Sequence, residues 1–336
     1  MSTPKKLVTV FGATGVQGGS VIKSILADPK ASSQFAIRGI TRNANKPAAK
    51  ALAEKGVEVV AADMDDPTSL SAALKGSYAV FAVTNYWEKM DAQDEEKQGR
   101  TLADLAKEHG VQHYIWSTLS NITKTSNGRL SKVYHFDSKA RVDEHIEELG
   151  IPATYFLAGV YMSNFPGQDI RRNPEAGVYE LGLPVPTDTK MPMLATEFDT
   201  GKFVKAILLN REKTLGKRIF GAEGYYSVSE LMDIFAQVKP VDGKGARAVT
   251  ISDEAYKAEL AAAGMPPFGP KDPTAGSMPL YVQEELVQNW KLNDPSAGGP
   301  GYYGGLGLEE SQSILDEKLV TWKEYLERSP ELKDLK

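Results

Sequence analysis

Val10-Phe11-Gly12-Ala13-Thr14-Gly15-Val16-Gln17-Gly18-Gly19 decides how the rest of the chain is read. The apolar run at residues 7–11 has the length of a buried strand, and from residue 19 to 27 apolar side chains recur with helical spacing. Gly12, Gly15 and Gly18 bridge the strand end to the helix start. The first permits a tight turn, the second lets backbone approach a pyrophosphate, and the third lets the helix lie against the strand. The helix N-terminus adds unpaired N–H groups and the positive end of a dipole. The spacing alone is weak; its strand–turn–helix setting points to a dinucleotide cofactor.

Outward from this motif, short apolar runs recur at 35–40, 57–61, 78–83, 114–116 and 153–157, bounded by Gly, Pro, Asp or Asn. Helical periodicity fills the gaps at 48–55, 69–74, 93–107 and 136–149. This alternation predicts an α/β fold, a Rossmann-type doubly wound parallel sheet, with residues 1–157 as a dinucleotide-binding domain. After residue 157, Pro166, Pro174, Pro184, Pro186 and Pro192 break the rhythm. Helices are expected near 196–210, 228–237, 252–263 and 279–290 with little strand between them. Residues 158–336 are therefore read as a smaller, mainly helical C-terminal subdomain for substrate or partner, interleaved with the core. The Gly- and Pro-rich stretches 264–278 and 298–305 read as mobile surface loops, with a lid or docking segment as the alternative.

Composition narrows the function. With 41% hydrophobic and 25% charged residues among 336, the chain is globular, and without cysteine it has no disulfide, thiolate nucleophile or iron–sulfur site. A net charge of −5 argues against direct nucleic-acid binding. The N-terminus lacks a signal-peptide core and no apolar run is long enough for a bilayer, so a protein without membrane attachment is expected, cytoplasmic or also nuclear.

The end of the second strand selects the cofactor. An NAD site places Asp or Glu there; this chain reads Thr41-Arg42-Asn43-Ala44-Asn45-Lys46. Arg42 can fork onto a 2′-phosphate and Lys46 can add charge, so NADP(H) is expected. Arg38 is given a minor structural role. At later strand ends, Asp63 and Met64 suit an adenine contact, while Thr84-Asn85-Tyr86 and Ser117-Thr118 put polar groups where open α/β sheets bind ligands.

These strings, with Asp63-Met64-Asp65-Asp66, Thr84-Asn85-Tyr86-Trp87-Glu88 and His135-Phe136-Asp137-Ser138-Lys139, follow one another as in the NmrA-like family, which the chain resembles over nearly its whole length. The similarity is densest from residue 5 to about 165, and lies toward the branch with redox sensors and nitrogen-metabolite-repression regulators. The resemblance implies an atypical short-chain dehydrogenase fold that binds NADP(H). Gly12, Ala13, Thr14, Gly15, Val16, Gln17, Arg42, Asp63, Met64, Thr84, Asn85, Tyr86, Lys139, Tyr161, Met162, Ser163 and Asn164 would line the cofactor, the last four beside the nicotinamide. It also implies a protein partner, a GATA-type transcription factor or a metabolic enzyme.

Catalysis is harder to place. Short-chain dehydrogenases use a Tyr four residues before a Lys, the lysine lowering the phenol's pKa. Here His135 stands four before Lys139; Tyr134, five before, is rotated by roughly 140° onto another face. Candidate proton carriers are thus Lys139, Tyr161 and His135. His109 and His113 straddle Gly110 without a Glu in metalloprotease spacing, so no metal is expected. Asp91, Asp94, Glu95 and Glu96 read as a solvated helix start. Two functions follow: a redox sensor or regulator acting through protein partners, including transcriptional co-regulation, favoured by the missing tyrosine; and an NADPH-dependent oxidoreductase reducing a small carbonyl, quinone or imine.

Overall fold

The computed structural model describes residues 4–166, 169–267 and 281–336. Six strands, β1 (Lys6–Val10), β2 (Phe35–Thr41), β3 (Glu58–Ala61), β4 (Ala79–Ala82), β5 (His113–Thr118) and β6 (Ala153–Ala158), coincide with the apolar runs of the sequence. Between them lie α1 (Val16–Ala27), α2 (Pro29–Gln34), α3 (Pro47–Ala53), α4 (Pro67–Leu74), α5 (Tyr86–Lys89), α6 (Ala92–Glu108), α7 (Ile122–Thr125) and α8 (Tyr134–Leu149). Proline at the first helical position starts α2, α3 and α4, where its missing N–H costs nothing. Asp28 and Asp66 cap α2 and α4 by accepting backbone N–H groups.

The chain then forms β7 (Val160–Tyr161), β8 (Ile170–Arg172), β9 (Tyr179–Leu183), β10 (Lys190–Leu194), α9 (Thr196–Leu209), α10 (Arg211–Thr214), β11 (Arg218–Gly221), β12 (Gly224–Ser227), α11 (Val228–Val238), β13 (Arg247–Thr250), α12 (Asp253–Ala262), α13 (Val282–Lys291), α14 (Glu309–Gln312) and α15 (Trp322–Arg328). The main sheet runs β11-β6-β5-β4-β1-β2-β3, and every neighbouring pair in it is parallel. Strand order reverses between β1 and β4, which opens a crevice at their carboxyl ends. Trp116 and Phe136 are buried in one core, and Ile22, Phe203 and Ile207 in the other. Sealing each such side chain contributes about 1.5–3 kcal/mol.

The second half holds more strand than its sequence suggests. Two three-stranded sheets, β12-β10-β7 and β13-β9-β8, lie among its helices, and β11 extends the main sheet. These strands have two to five residues, too few for alternation to register. The stretch 298–305 is also more than surface loop. Tyr302 and Tyr303 are buried there, and their hydroxyls donate to Ala158 O and Leu157 O at the end of β6. Residues 268–278 of the other proposed loop lie outside the described residues. Among the described residues, no helix is long and apolar enough to cross a membrane.

Candidate functional site

A cleft of about 1160 Å³ opens at the β1–β4 crevice. The glycine loop forms its floor. Gly12 has φ +62°, a left-handed conformation that a side chain disfavours. A Cβ on Gly18 would sit 2.3 Å from Gly12 O, so that glycine is required for α1 to pack on the loop. A Cβ on Gly15 meets only Gly12 O at 3.3 Å. Gly15 is also the N-cap of α1, with no side-chain cap and no acid in the first turn. The orphan N–H groups of the 12-residue helix are therefore left for an anion.

Most of the residues singled out from sequence converge here. Gly12, Thr14, Gly15, Val16, Gln17, Gly18, Arg42, Lys46, Asp63, Met64, Thr84, Asn85, Tyr86, His135, Lys139, Tyr161 and Asn164 all line the cleft. Ala13, Met162 and Ser163 are not among its lining residues. Ala13 is buried against Gly39 of β2, and Met162 belongs to the main core. Arg42, at the edge, forms an ion pair with Glu88 of α5, both side chains well exposed. Arg38 instead donates to Ala73 O and Lys75 O at the end of α4, a structural use.

Deeper in, Ser117 Oγ donates to Gln17 Oε1 (2.9 Å), and Gln17 Nε2 donates to the Tyr161 hydroxyl (2.6 Å). This chain ties β5, the glycine loop and β7 together. Burial raises the Tyr161 phenol, against a smaller lowering by Gln17. Lys139 donates to Glu95 Oε1 (2.7 Å), Thr84 Oγ1 (2.7 Å) and Thr84 O (3.2 Å), one acceptor for each ammonium proton. Glu95 is only 2% exposed and also accepts from Thr84 and Ser138, so it is no part of a solvated helix face. One turn into α6, it faces α8 and forms an ion pair with Lys139. Asp91 does cap α6, and Asp94 pairs with Lys89.

His135, at the start of α8, is held differently. Its Nδ1 lies 2.6 Å from Glu285 Oε1, and its backbone N–H donates to the same oxygen at 2.8 Å. The Tyr86 hydroxyl donates to Glu285 Oε2 at 2.7 Å. Burial, then the Glu285 carboxylate, pushes the Tyr86 phenol far up, so it stays a donor. Trp87 sits 4.9 Å from the His135 ring, centroid to centroid. His109 and His113 diverge: His109 Nε2 meets Ser71 Oγ, and His113 Nε2 meets Thr154 Oγ1 inside the sheet.

Beyond this point the cleft continues into a chamber that sequence reasoning missed. Tyr256, Leu260 and Ala263 from α12 and its end, and Leu286, Asn289 and Trp290 from α13, form its wall. Trp290 Nε1 donates to the Tyr256 hydroxyl at 2.6 Å. Asp169 and Arg171 stand at the β8 side, where burial raises the Asp169 carboxyl to about 7 despite Arg171. Glu285 carried a legible signal: it follows Val282 by three and precedes Leu292 by seven, so an acid occupies the buried seam of α13.

The sequence profile of the NmrA-like family matches residues 4–326. An NmrA-like family domain-containing oxidoreductase, cpsB of Aspergillus campestris, is 31% identical over 328 residues, covering 85% of this chain and 91% of that one. A second, malD of Malbranchea aurantiaca, is 32% identical over 253 residues, 71% and 74% of the two chains. Among solved structures, NmrA, a negative transcriptional regulator in complex with NADP, superposes with a TM-score of 0.71 at 20% identity over 97% of this chain and 95% of its own. The Citrobacter sp. triphenylmethane reductase complexed with NADP(H) gives 0.72 at 21% identity over 96% and 99%. At these identities the structural matches speak for the fold.

Proposed function

The chain belongs to the NmrA-like family, and from that premise we propose that it is an NADP(H)-dependent oxidoreductase acting on an apolar substrate with a reducible C=O or C=N bond. One observation carries this reading: a single cleft of about 1160 Å³ runs from the glycine loop to the α12–α13 wall. The stretch lined by Leu260, Leu286 and Trp290 lies beyond the residues that would hold a dinucleotide, and a second ligand would sit there. The first turn of α1 would take the pyrophosphate, Arg42 and Lys46 the 2′-phosphate, and Asp63 and Met64 the adenine end. Thr84, Asn85, Tyr86, Tyr161 and Asn164 would flank the nicotinamide half. When bound, the cofactor supplies a hydride. Leu260, Leu286 and Trp290 would hold an apolar substrate and exclude water, which strengthens the charge interactions inside. The names of the curated relatives, both oxidoreductases, support the same class.

The test is NADPH consumption over a panel of aldehydes, ketones, quinones and imines. Saturable turnover supports the proposal; background consumption with tight cofactor binding opposes it. A second reading, a redox sensor acting through a protein partner such as a transcription factor or a metabolic enzyme, is supported by Lys139. Its three donors are engaged internally, and no tyrosine stands four residues before it. For that reading, occupancy must change the affinity for the partner.

A further inference from the structure

Of the three proton carriers named from sequence, two are compromised by their surroundings. Lys139 has an acceptor for each ammonium proton, and one of the two at 2.7 Å is a buried carboxylate. Releasing one would take from buried Glu95 or Thr84, 2% and 6% exposed, one of its hydrogen bonds. Tyr161 accepts from Gln17, and burial raises its phenol instead of lowering it, which makes it a poorer acid. Among the described residues no cation is hydrogen-bonded to the Tyr161 hydroxyl to offset this.

His135 differs in each respect. It lines the cleft, and among the described residues no hydrogen bond engages its Nε2. Its Nδ1 is fixed by Glu285, which is fully buried and reached from three directions: the His135 ring, the His135 backbone N–H and the Tyr86 hydroxyl. The backbone N–H can only donate to Oε1, and the Tyr86 hydroxyl donates to Oε2, so both Glu285 oxygens serve as acceptors, Oε1 also toward Nδ1. The proton must then sit on Nδ1 in the neutral ring, and the imidazolium carries its second proton on Nε2. A buried carboxylate behind a histidine fixes its tautomer and stabilises the imidazolium. Trp87, 4.9 Å away, and Phe136, also 4.9 Å away, hold the ring in place. The charged and titratable groups around it are Glu285 from α13, Tyr86 from α5, and Lys139 with Glu95 farther along α8 and on α6.

Resting on the oxidoreductase reading above, we propose that His135 is the catalytic acid of the reduction and Glu285 its positioning residue. A reduced nicotinamide dinucleotide is the hydride source. As hydride reaches the electrophilic carbon, the π bond of C=O or C=N breaks and its electron pair moves to the heteroatom. The Nε2–H bond breaks with its electrons left on nitrogen, and a new O–H or N–H bond forms. A proton from bulk solvent then returns to Nε2, so that each reduction consumes one hydride and one solvent proton.

The experiment has two arms. The first is nitrogen NMR on ¹⁵N-histidine-labelled wild-type protein, with His135→Gln to assign the signal. The neutral ring is expected as the Nδ1–H tautomer, and Glu285→Gln should abolish that preference. The second uses NADPH with phenanthrenequinone, an apolar aromatic dicarbonyl, and the carbonyl and imine panel. His135→Gln should lower kcat by about 100-fold or more, the range of general-acid loss. Glu285→Gln should lower kcat at least tenfold with KM nearly unchanged, Glu285→Asp should recover part of it, and calorimetric NADPH affinity should stay within about twofold in all three. A predominantly Nε2–H tautomer in the wild type overturns the proposal whatever the turnover. Wild-type kcat in His135→Gln overturns it while leaving the oxidoreductase reading standing. NADPH bound but never consumed removes both.

Discussion

Replacing Arg42 by Ala tests the cofactor assignment with a magnitude that the structure sets. A charge-assisted hydrogen bond to a 2′-phosphate contributes about 1.5–3 kcal/mol. Arg42 is already paired with Glu88, and that partnership must be given up on binding. With the two side chains 64% and 40% exposed, the pair is a surface one, of the kind that contributes about 0.2–1 kcal/mol. The net loss in Arg42→Ala is then about 0.5–2.8 kcal/mol, or roughly 2- to 100-fold weaker NADP⁺ binding. NAD⁺, without the phosphate, should bind both forms alike. Glu88→Gln should do the reverse, tightening NADP⁺ by up to about fivefold with NAD⁺ unchanged. Isothermal titration calorimetry with both dinucleotides on all three proteins reads these numbers, and added salt should shrink them because both partners are exposed. Equal loss of NADP⁺ and NAD⁺ affinity in Arg42→Ala would refute the assignment.

Further outcomes concern the loop, the sheet and α5. Gly15→Val should abolish NADP⁺ binding with an unchanged circular dichroism spectrum, since its Cβ meets only Gly12 O at 3.3 Å, whereas Gly18→Ala, with a Cβ 2.3 Å from that oxygen, should lower the melting temperature; retained binding in Gly15→Val speaks against a pyrophosphate there. Burial raises the Asp143 carboxyl to about 6, above its usual 3.8, against a smaller lowering by Arg218 and Thr118. The folded state therefore keeps a proton that the unfolded chain has lost, and the site's contribution to stability falls as pH rises through that window. Urea melts should show Asp143→Asn gaining on the wild type from about pH 4 to 6 and levelling above; a flat difference would contradict the burial argument. NADP⁺ should also alter hydrogen exchange across Tyr86–Lys89, because Glu88 loses Arg42 on binding, and identical exchange with and without NADP⁺ would mean the ion pair survives.

What could be read in the sequence was local. The glycine loop and the polar residues after β2, β3 and β4 each lie within a few residues of the end of a short apolar strand, so the strand pattern placed them at the crevice. Arg42 and Lys46 were visible for the same reason. Glu88, the competitor for Arg42, stands 46 residues away and was read only as part of a string. His135 and Glu285 are 150 residues apart, and only the fold brings α13 under the start of α8. Glu95 was misread because its neighbours Asp91, Asp94 and Glu96 are typical of an exposed helix start, while its own position points at Lys139. The short strands β7 to β13 escaped because, unlike the equally short β3 and β4 (EVVA and AVFA), most are broken by polar residues, Gly or Pro, as in YELGL, KMPML and GYYS, and so form neither an apolar run nor a usable period. The tyrosines of 298–305 were hidden by the glycines around them, although their rings are buried against β6.

The most direct test of oxidoreductase function uses NADPH deuterated at each face of C4 in turn, with mass spectrometry of the products of the carbonyl, quinone and imine panel. The expected result is deuterium on the reduced carbon from one face only, at a rate that saturates with substrate and falls when Trp290→Ala opens the chamber wall. Cofactor bound tightly, with no deuterium leaving it for any substrate and with exchange across Tyr86–Lys89 still responding to occupancy, would contradict that result and leave the sensor in its place.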